Sequence, residues 1–285
     1  VQKTALEPYA RLPRAHHGRH VLAATVDDFG VAHWLLVDRP SRPGGDPKPY
    51  DALVVSVGDG GVEVTELNAV HARWPLLDRL PDGGFVLAAA RDRGADKQRQ
   101  VQVFDALGRQ TWSFGVGDAI EHLLVDATGE LWVGHFDENP VGIRRWSATG
   151  ERRWTSGSVP GAGWIMDCYA LNVAGSVAWA CPYTDFPLLE IRPGEPVRVR
   201  ANSLRGAHGL AVHADRVAFV GGYGEDRDRV RFGALTETTV EPAEVAELTR
   251  PDGGSLGRRR IVCRGSRVYV LEEPSTEWAV FDIGG

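Results

Sequence analysis

Two segments, Phe104-Asp-Ala-Leu-Gly108-Arg-Gln-Thr-Trp112 and Trp146-Ser-Ala-Thr-Gly150-Glu-Arg-Arg-Trp154, carry an aromatic residue, a turn glycine and a closing tryptophan at the same offsets, 42 residues apart. Internal repeats of that length are typical of propeller blades. The surrounding pattern agrees: apolar runs are short and separated by Gly, Asp or Pro, which reads as many strands and few helices. Segments 123–125, 131–134, 143–146 and 152–154 predict one four-stranded antiparallel meander. Its turns fall at Asp126-Ala-Thr-Gly129 and Ser147-Ala-Thr-Gly150, where glycine can take positive φ.

Grouping strands in fours gives units at 21–67, 75–114, 120–155, 168–201, 209–248 and 261–283. The last contains only three clear strands, and an unused N-terminal segment, Thr4 to Leu12, supplies the fourth. The expected fold is therefore all-β: one domain over residues 1–285, a six-bladed β-propeller of four-stranded antiparallel blades, closed by an N-terminal strand in the last blade. Such closure hides sheet edges that an open array exposes. Residues 39–48 read as a long loop in the first blade and 157–163 as a loop between the third and fourth. Segment 242–250 fits either a short helix or an outer strand.

Composition narrows the partners. A net charge of −6 without a Lys/Arg run argues against nucleic acid and anionic membranes, and no apolar stretch reaches a membrane-spanning length. The three cysteines form no C-x-x-C pair and sit in apolar runs, which predicts buried thiols and a cytoplasmic location. Basic side chains are nearly all arginine, a bias fitting a GC-rich, bacterial-like genome and given no functional weight.

The run Ile120-Glu-His-Leu-Leu-Val-Asp126-Ala-Thr-Gly129-Glu-Leu-Trp132-Val-Gly134 resembles one blade of the sensor-type and NHL-type propellers. His208-Gly-Leu-Ala-Val212 resembles the opening strand of an NHL or SMP-30/gluconolactonase-like blade. The resemblance implies a six-bladed ring and no particular activity.

In such a ring the inner strands line a central channel, and one face collects the residues entering them together with the loops after the second strands. Glu121, Asp167 and His208 are the expected acid–base groups there, with structural hydrogen bonding as the competing reading for the carboxylates. His20, Arg91, His122, His135, Asp137, Tyr169, Tyr183, Asp185, Tyr223 and Glu272 complete a polar rim for substrate binding. His135 and Asp137 read as a pair if their segment is extended. Trp112, Trp132, Trp154 and Trp179 are assigned to packing between blades. The cofactor expectation is none or a divalent cation, with Glu121 and Asp167 as possible ligands in the manner of a metal-dependent lactonase. No zinc spacing, nucleophile elbow or dinucleotide fingerprint is present. The leading reading is an enzyme acting on a polar small molecule by hydrolysis, cyclisation or isomerisation; the alternative is a non-catalytic propeller binding a protein or ligand.

Overall fold

The computed structural model describes residues 2–39, 48–92 and 97–285. The chain begins with β1 (Gln2–Ala5) and β2 (Glu7–Arg11) and then lays down six meanders. Blade one is β3 (His20–Val26), β4 (Ala32–Val37), β5 (Tyr50–Gly58) and β6 (Gly61–Val70). Blade two is β7 (Pro75–Arg79), β8 (Phe85–Ala89), β9 (Val101–Phe104) and β10 (Gln110–Phe114). Blade three is β11 (Ile120–Val125), β12 (Leu131–His135), β13 (Ile143–Trp146) and β14 (Arg152–Thr155). Blade four is β15 (Asp167–Ala174), β16 (Val177–Tyr183), β17 (Leu188–Ile191) and β18 (Arg198–Arg200). Blade five is β19 (Gly209–His213), β20 (Arg216–Val220), β21 (Arg229–Leu235) and β22 (Val240–Thr249). Blade six is β23 (Arg259–Arg264), β24 (Arg267–Glu272) and β25 (Glu277–Asp282), with β2 antiparallel to β25 as its fourth strand.

The ring closes as expected and with one addition. Strand β1 pairs in parallel with β22, so the N-terminal segment ties blade five as well as blade six. Segment 242–250 belongs to outer strand β22, because β21 offers it a pairing edge. Of the loop expected at 39–48, residues 40–47 lie outside the described residues.

Alternating side chains of neighbouring sheets meet in six apolar clusters, one at each blade-to-blade junction. Leu35 and Val54 pack on Leu77 and Phe85; Val86 and Val101 on Leu123 and Leu131; Trp132 and Ile143 on Leu171 and Val173. Cys181 and Leu188 pack on Leu210 and Phe219; Ala218 and Val230 on Val268 and Phe281; Trp278 and Leu271 on Trp34 and Leu36. Trp132, Trp154 and Trp179 take part in these junctions, as their spacing implied. Trp112 does not: it lies on an outer strand, is half exposed, and donates its indole N–H to the Thr149 carbonyl of the next blade.

The repeat that revealed the fold has a packing cause. Gly108 and Gly150, in the turns between third and fourth strands, have φ of 77° and 86°. A Cβ on Gly108 would meet the Glu66 carbonyl oxygen of β6, and one on Gly150 would meet the Phe114 ring of β10. Each turn thus abuts the outer strand of the preceding blade, and only glycine supplies both the conformation and the clearance.

One end of the channel is filled. Arg264 donates to the carbonyls of Val26, Val125 and Val173 and to the Asp78 carboxylate, joining the inner strands of five blades. Asp78 also accepts the Val125 and Arg79 amides, and both charged side chains are almost fully buried. Asn172 ties in Leu210 of the remaining blade and exchanges two hydrogen bonds with Gly265. Burial pushes the Asp78 carboxyl up, while Arg264 and the two amides act against it.

Candidate functional site

The other end of the channel is open and holds a cavity of about 770 Å3. Its floor is apolar, from Leu76, Leu123, Leu124 and Val262, and its rim is polar and aromatic. Volumes of several hundred Å3 with a few convergent polar groups are those of small-molecule sites.

Glu121, His122, Tyr169, His208 and Arg91, all expected from sequence, line this cavity. Glu121 and His122 are consecutive and would point to opposite faces of a regular strand. The register of β11 shifts between Ile120 and His122, so a bulge turns both toward the channel. His122 Nε2 is anchored on the Cys168 carbonyl at 2.9 Å. His208 stacks on Tyr169, ring centroids 5.1 Å apart and planes within 13°. Tyr169 also packs against Tyr183 and Phe186, and the Tyr223 hydroxyl donates to its oxygen at 3.1 Å. Tyr183 and Tyr223 therefore buttress Tyr169 rather than line the cavity themselves.

Electrostatics couple these groups across blades. Desolvation lowers the His208 imidazole from its ordinary range, with Glu121 opposing and His122 and Arg259 assisting. Asp167, half-buried where β15 begins, is raised to about 6 by desolvation and by the like charges of Glu121 and Asp137. Burial pushes the Cys168 thiol up and closes it off from solvent, so it offers no nucleophile.

Several rim expectations need correction. His135 is fully buried, its Nδ1 donating to the Asp118 carbonyl, and desolvation lowers it to about 4. The strand ends at His135, so it and Asp137 are not an extended pair, and Phe136 between them lines the cavity instead. Glu272 lies outside the cavity, in a two-point ion pair with Arg250 at 2.9 and 3.0 Å. Its carboxyl stays low because Arg250 and the Gly257 amide outweigh the effect of burial. His20 sits exposed at the start of β3, and Asp137 and Asp185 are exposed loop residues; none of the three lines the cavity.

Sequence reasoning missed Trp74, Phe136, Arg227, Arg259 and Arg260, all on the cavity wall. Trp74 and Ala119, just before β7 and β11, have φ of 46° and 61°. Left-handed backbone in a non-glycine residue costs energy and concentrates at functional sites. Arg91 is neutralised by Asp118 and Glu138 and lies 5.2 Å from the centre of the Phe136 ring.

A Ser–His–Asp arrangement exists elsewhere. His33 bridges Ser56 Oγ at 2.7 Å and Asp27 Oδ2 at 2.9 Å inside blade one. All three side chains are buried, and Asp27 also accepts the Phe29 and Val31 amides, so this network holds a turn. No group of three or more His, Cys, Asp or Glu among the described residues is placed to hold a metal ion. Among them, too, no helix is long and apolar enough to cross a membrane.

No protein-family description matches the chain, and no curated protein matches it in sequence. Solved structures do. A chain from the crystal structure of a nidogen/laminin complex is 12% identical, with 81% of each chain covered and a TM-score of 0.51. The Cps50 (Swd1) β-propeller domain of Myceliophteria thermophila is 11% identical, covering 76% of this chain and 84% of that one with a TM-score of 0.48. AztD of Citrobacter koseri is 12% identical, covering 91% and 82% with a TM-score of 0.45. At such identities the likeness is one of fold alone, and no family model supports the resemblance to NHL and SMP-30/gluconolactonase-like propellers.

Proposed function

We propose that this propeller binds a polar small molecule in the open mouth of its channel, and that His208, coupled to Glu121, transfers protons there. The observation that carries this reading is the convergence of Glu121, His122, Tyr169 and His208, from three blades, on one cavity with a sealed far end. The imidazoles and the carboxylate on the cavity wall are groups that transfer protons to or from a bound molecule or water. Isomerisation, cyclisation and water-mediated hydrolysis all use such transfers.

A thermal-shift screen of polar metabolites, run with and without EDTA, tests the reading. At least one compound at a hundredfold excess over Kd is expected to raise the melting temperature by about 5 °C. Glu121→Gln and His208→Asn should each reduce that shift, and the double variant should be little worse than either, since partners at one site are not additive. Loss of the shift in EDTA would show that a divalent cation takes part in binding. Absence of any stabilising compound, or a shift unchanged in both variants, would contradict it. The second reading is a protein-binding propeller; Val62 and Val64, about half exposed on outer strand β6, favour it. The neighbour from a nidogen/laminin complex is described as part of a protein assembly.

A further inference from the structure

The cavity is cationic although the chain as a whole carries a net charge of −6. Arg227, Arg259 and Arg260 are among its lining residues, Arg259 turned toward blade five and Arg260 toward blade one. Arg259 is held rigidly, donating to Asp228 Oδ1 at 2.7 Å and to the Arg227 carbonyl at 2.5 Å. Arg260 donates to the Leu22 carbonyl at 3.3 Å. Among the described residues neither Arg227 nor Arg260 has an acidic side chain within ion-pair distance, while Arg259 pairs with Asp228. Desolvation lowers the Arg260 guanidinium, with Arg258 adding to the effect and Glu273 opposing it. Among the described residues Glu121, of blade three, is the one carboxylate on the cavity wall. Facing the arginines from blades two and three are Trp74, two-thirds exposed, and the Phe136 ring.

Arginines around a concave mouth attract an anion, and arginine's fork matches the oxygens of carboxylate and phosphate. Flat aromatic faces in turn favour a flat or ring-shaped ligand body. We propose that the molecule bound in this cavity is an organic anion, its carboxylate or phosphate seated by Arg227, Arg259 and Arg260 and its ring body against Trp74 and Phe136. This rests on the small-molecule reading above and names the ligand class for the same site. The seat lies within the same cavity as His208.

Matched pairs of probes test the proposal by isothermal titration: benzoate against benzyl alcohol, phenyl phosphate against phenol, and glucuronate against glucose. The anionic member of at least one pair is expected to bind at least about tenfold more tightly. That preference should fall by about tenfold or more in Arg227→Gln and Arg260→Gln, with Arg260→Lys intermediate because it keeps the charge and loses the fork. The benzoate and phenyl phosphate arms separate carboxylate from phosphate. Unchanged melting of the ligand-free variants shows that the arginines act on the ligand rather than on the fold. Equal binding of neutral and anionic members, lost in His208→Asn, would overturn the anion class while leaving the small-molecule site in place. Anion binding unchanged in both Gln variants would place the anion elsewhere and overturn the seat. Failure of every probe to bind would count against both.

Discussion

Arg264→Ala is expected to cost about 3–5 kcal/mol of stability and to lower the melting temperature by about 10 °C. The effect is large because of what stays behind. Asp78 has no exposure to solvent and keeps only the Val125 and Arg79 amides once Arg264 is gone. The carbonyls of Val26, Val125 and Val173 lose a shared donor at the same time. Removing one partner of a buried pair leaves an uncompensated charge, whereas replacing both by apolar groups of similar volume is often tolerated. Arg264→Met combined with Asp78→Leu should therefore recover much of the loss. Denaturant titration measures both. If Arg264→Ala unfolds within about 0.5 kcal/mol of the parent, the filled channel end is not what fastens the six inner strands together.

The second large effect is at the ring closure. Deleting residues 1–12 removes β1 and β2, exposing the edges of β22 and β25 and emptying the sites of Leu6 and Leu12, which are 2% and 0% exposed. Two buried leucines alone contribute about 3–6 kcal/mol. The Tyr9 ring, 4.8 Å from that of Tyr269, is lost as well. The truncated chain is expected to melt at least about 10 °C lower and to aggregate through its open edges. Leu12→Ala, which keeps the strand and opens only a cavity, should cost about 2–5 kcal/mol. Equal melting of truncated and full chains would contradict closure by these strands.

Much of this architecture is written locally, and the parts that are not show why. Blades two and three match their expected bounds of 75–114 and 120–155, and three of their hairpins turn on Asp105-x-x-Gly108, Asp126-x-x-Gly129 and Ser147-x-x-Gly150. Asp126 shows the device, accepting the Thr128 and Glu130 amides and the Trp132 indole N–H. Strand β1 has no such signal: Gln2-Lys-Thr-Ala5 is mostly polar, and its parallel partner lies over two hundred residues away. Segment 242–250 was ambiguous because its apolar spacing fits a helix, and only the free edge of β21 decides it.

The site divides in the same way. Glu121, at the start of inner strand β11, and His208, just before β19, were legible because pattern alone locates the entrances of inner strands. Trp74 and Phe136 were not, since a left-handed backbone and the end of β12 place them. The arginines were overlooked for another reason: arginine is so frequent here that composition made it look uninformative. Position was the better signal. Arg264 interrupts the apolar run Ile261-Val-Cys, and Asp78 follows Leu76-Leu77, so each charge stands where an inner strand should be apolar.

Glu121 and His208 line one cavity, and a 15N NMR titration of the His208 imidazole in the parent and in Glu121→Gln tests their coupling most directly. In the parent, His208 is expected to titrate below the ordinary histidine range, because desolvation, His122 and Arg259 disfavour its charged form more than Glu121 favours it. Removing the Glu121 charge takes away the one opposing influence, so the titration should move to still lower pH, while Arg259→Gln should move it up. A His208 titration unchanged by Glu121→Gln would mean that the two groups do not face each other across the channel mouth, and the proposed site would fall with them.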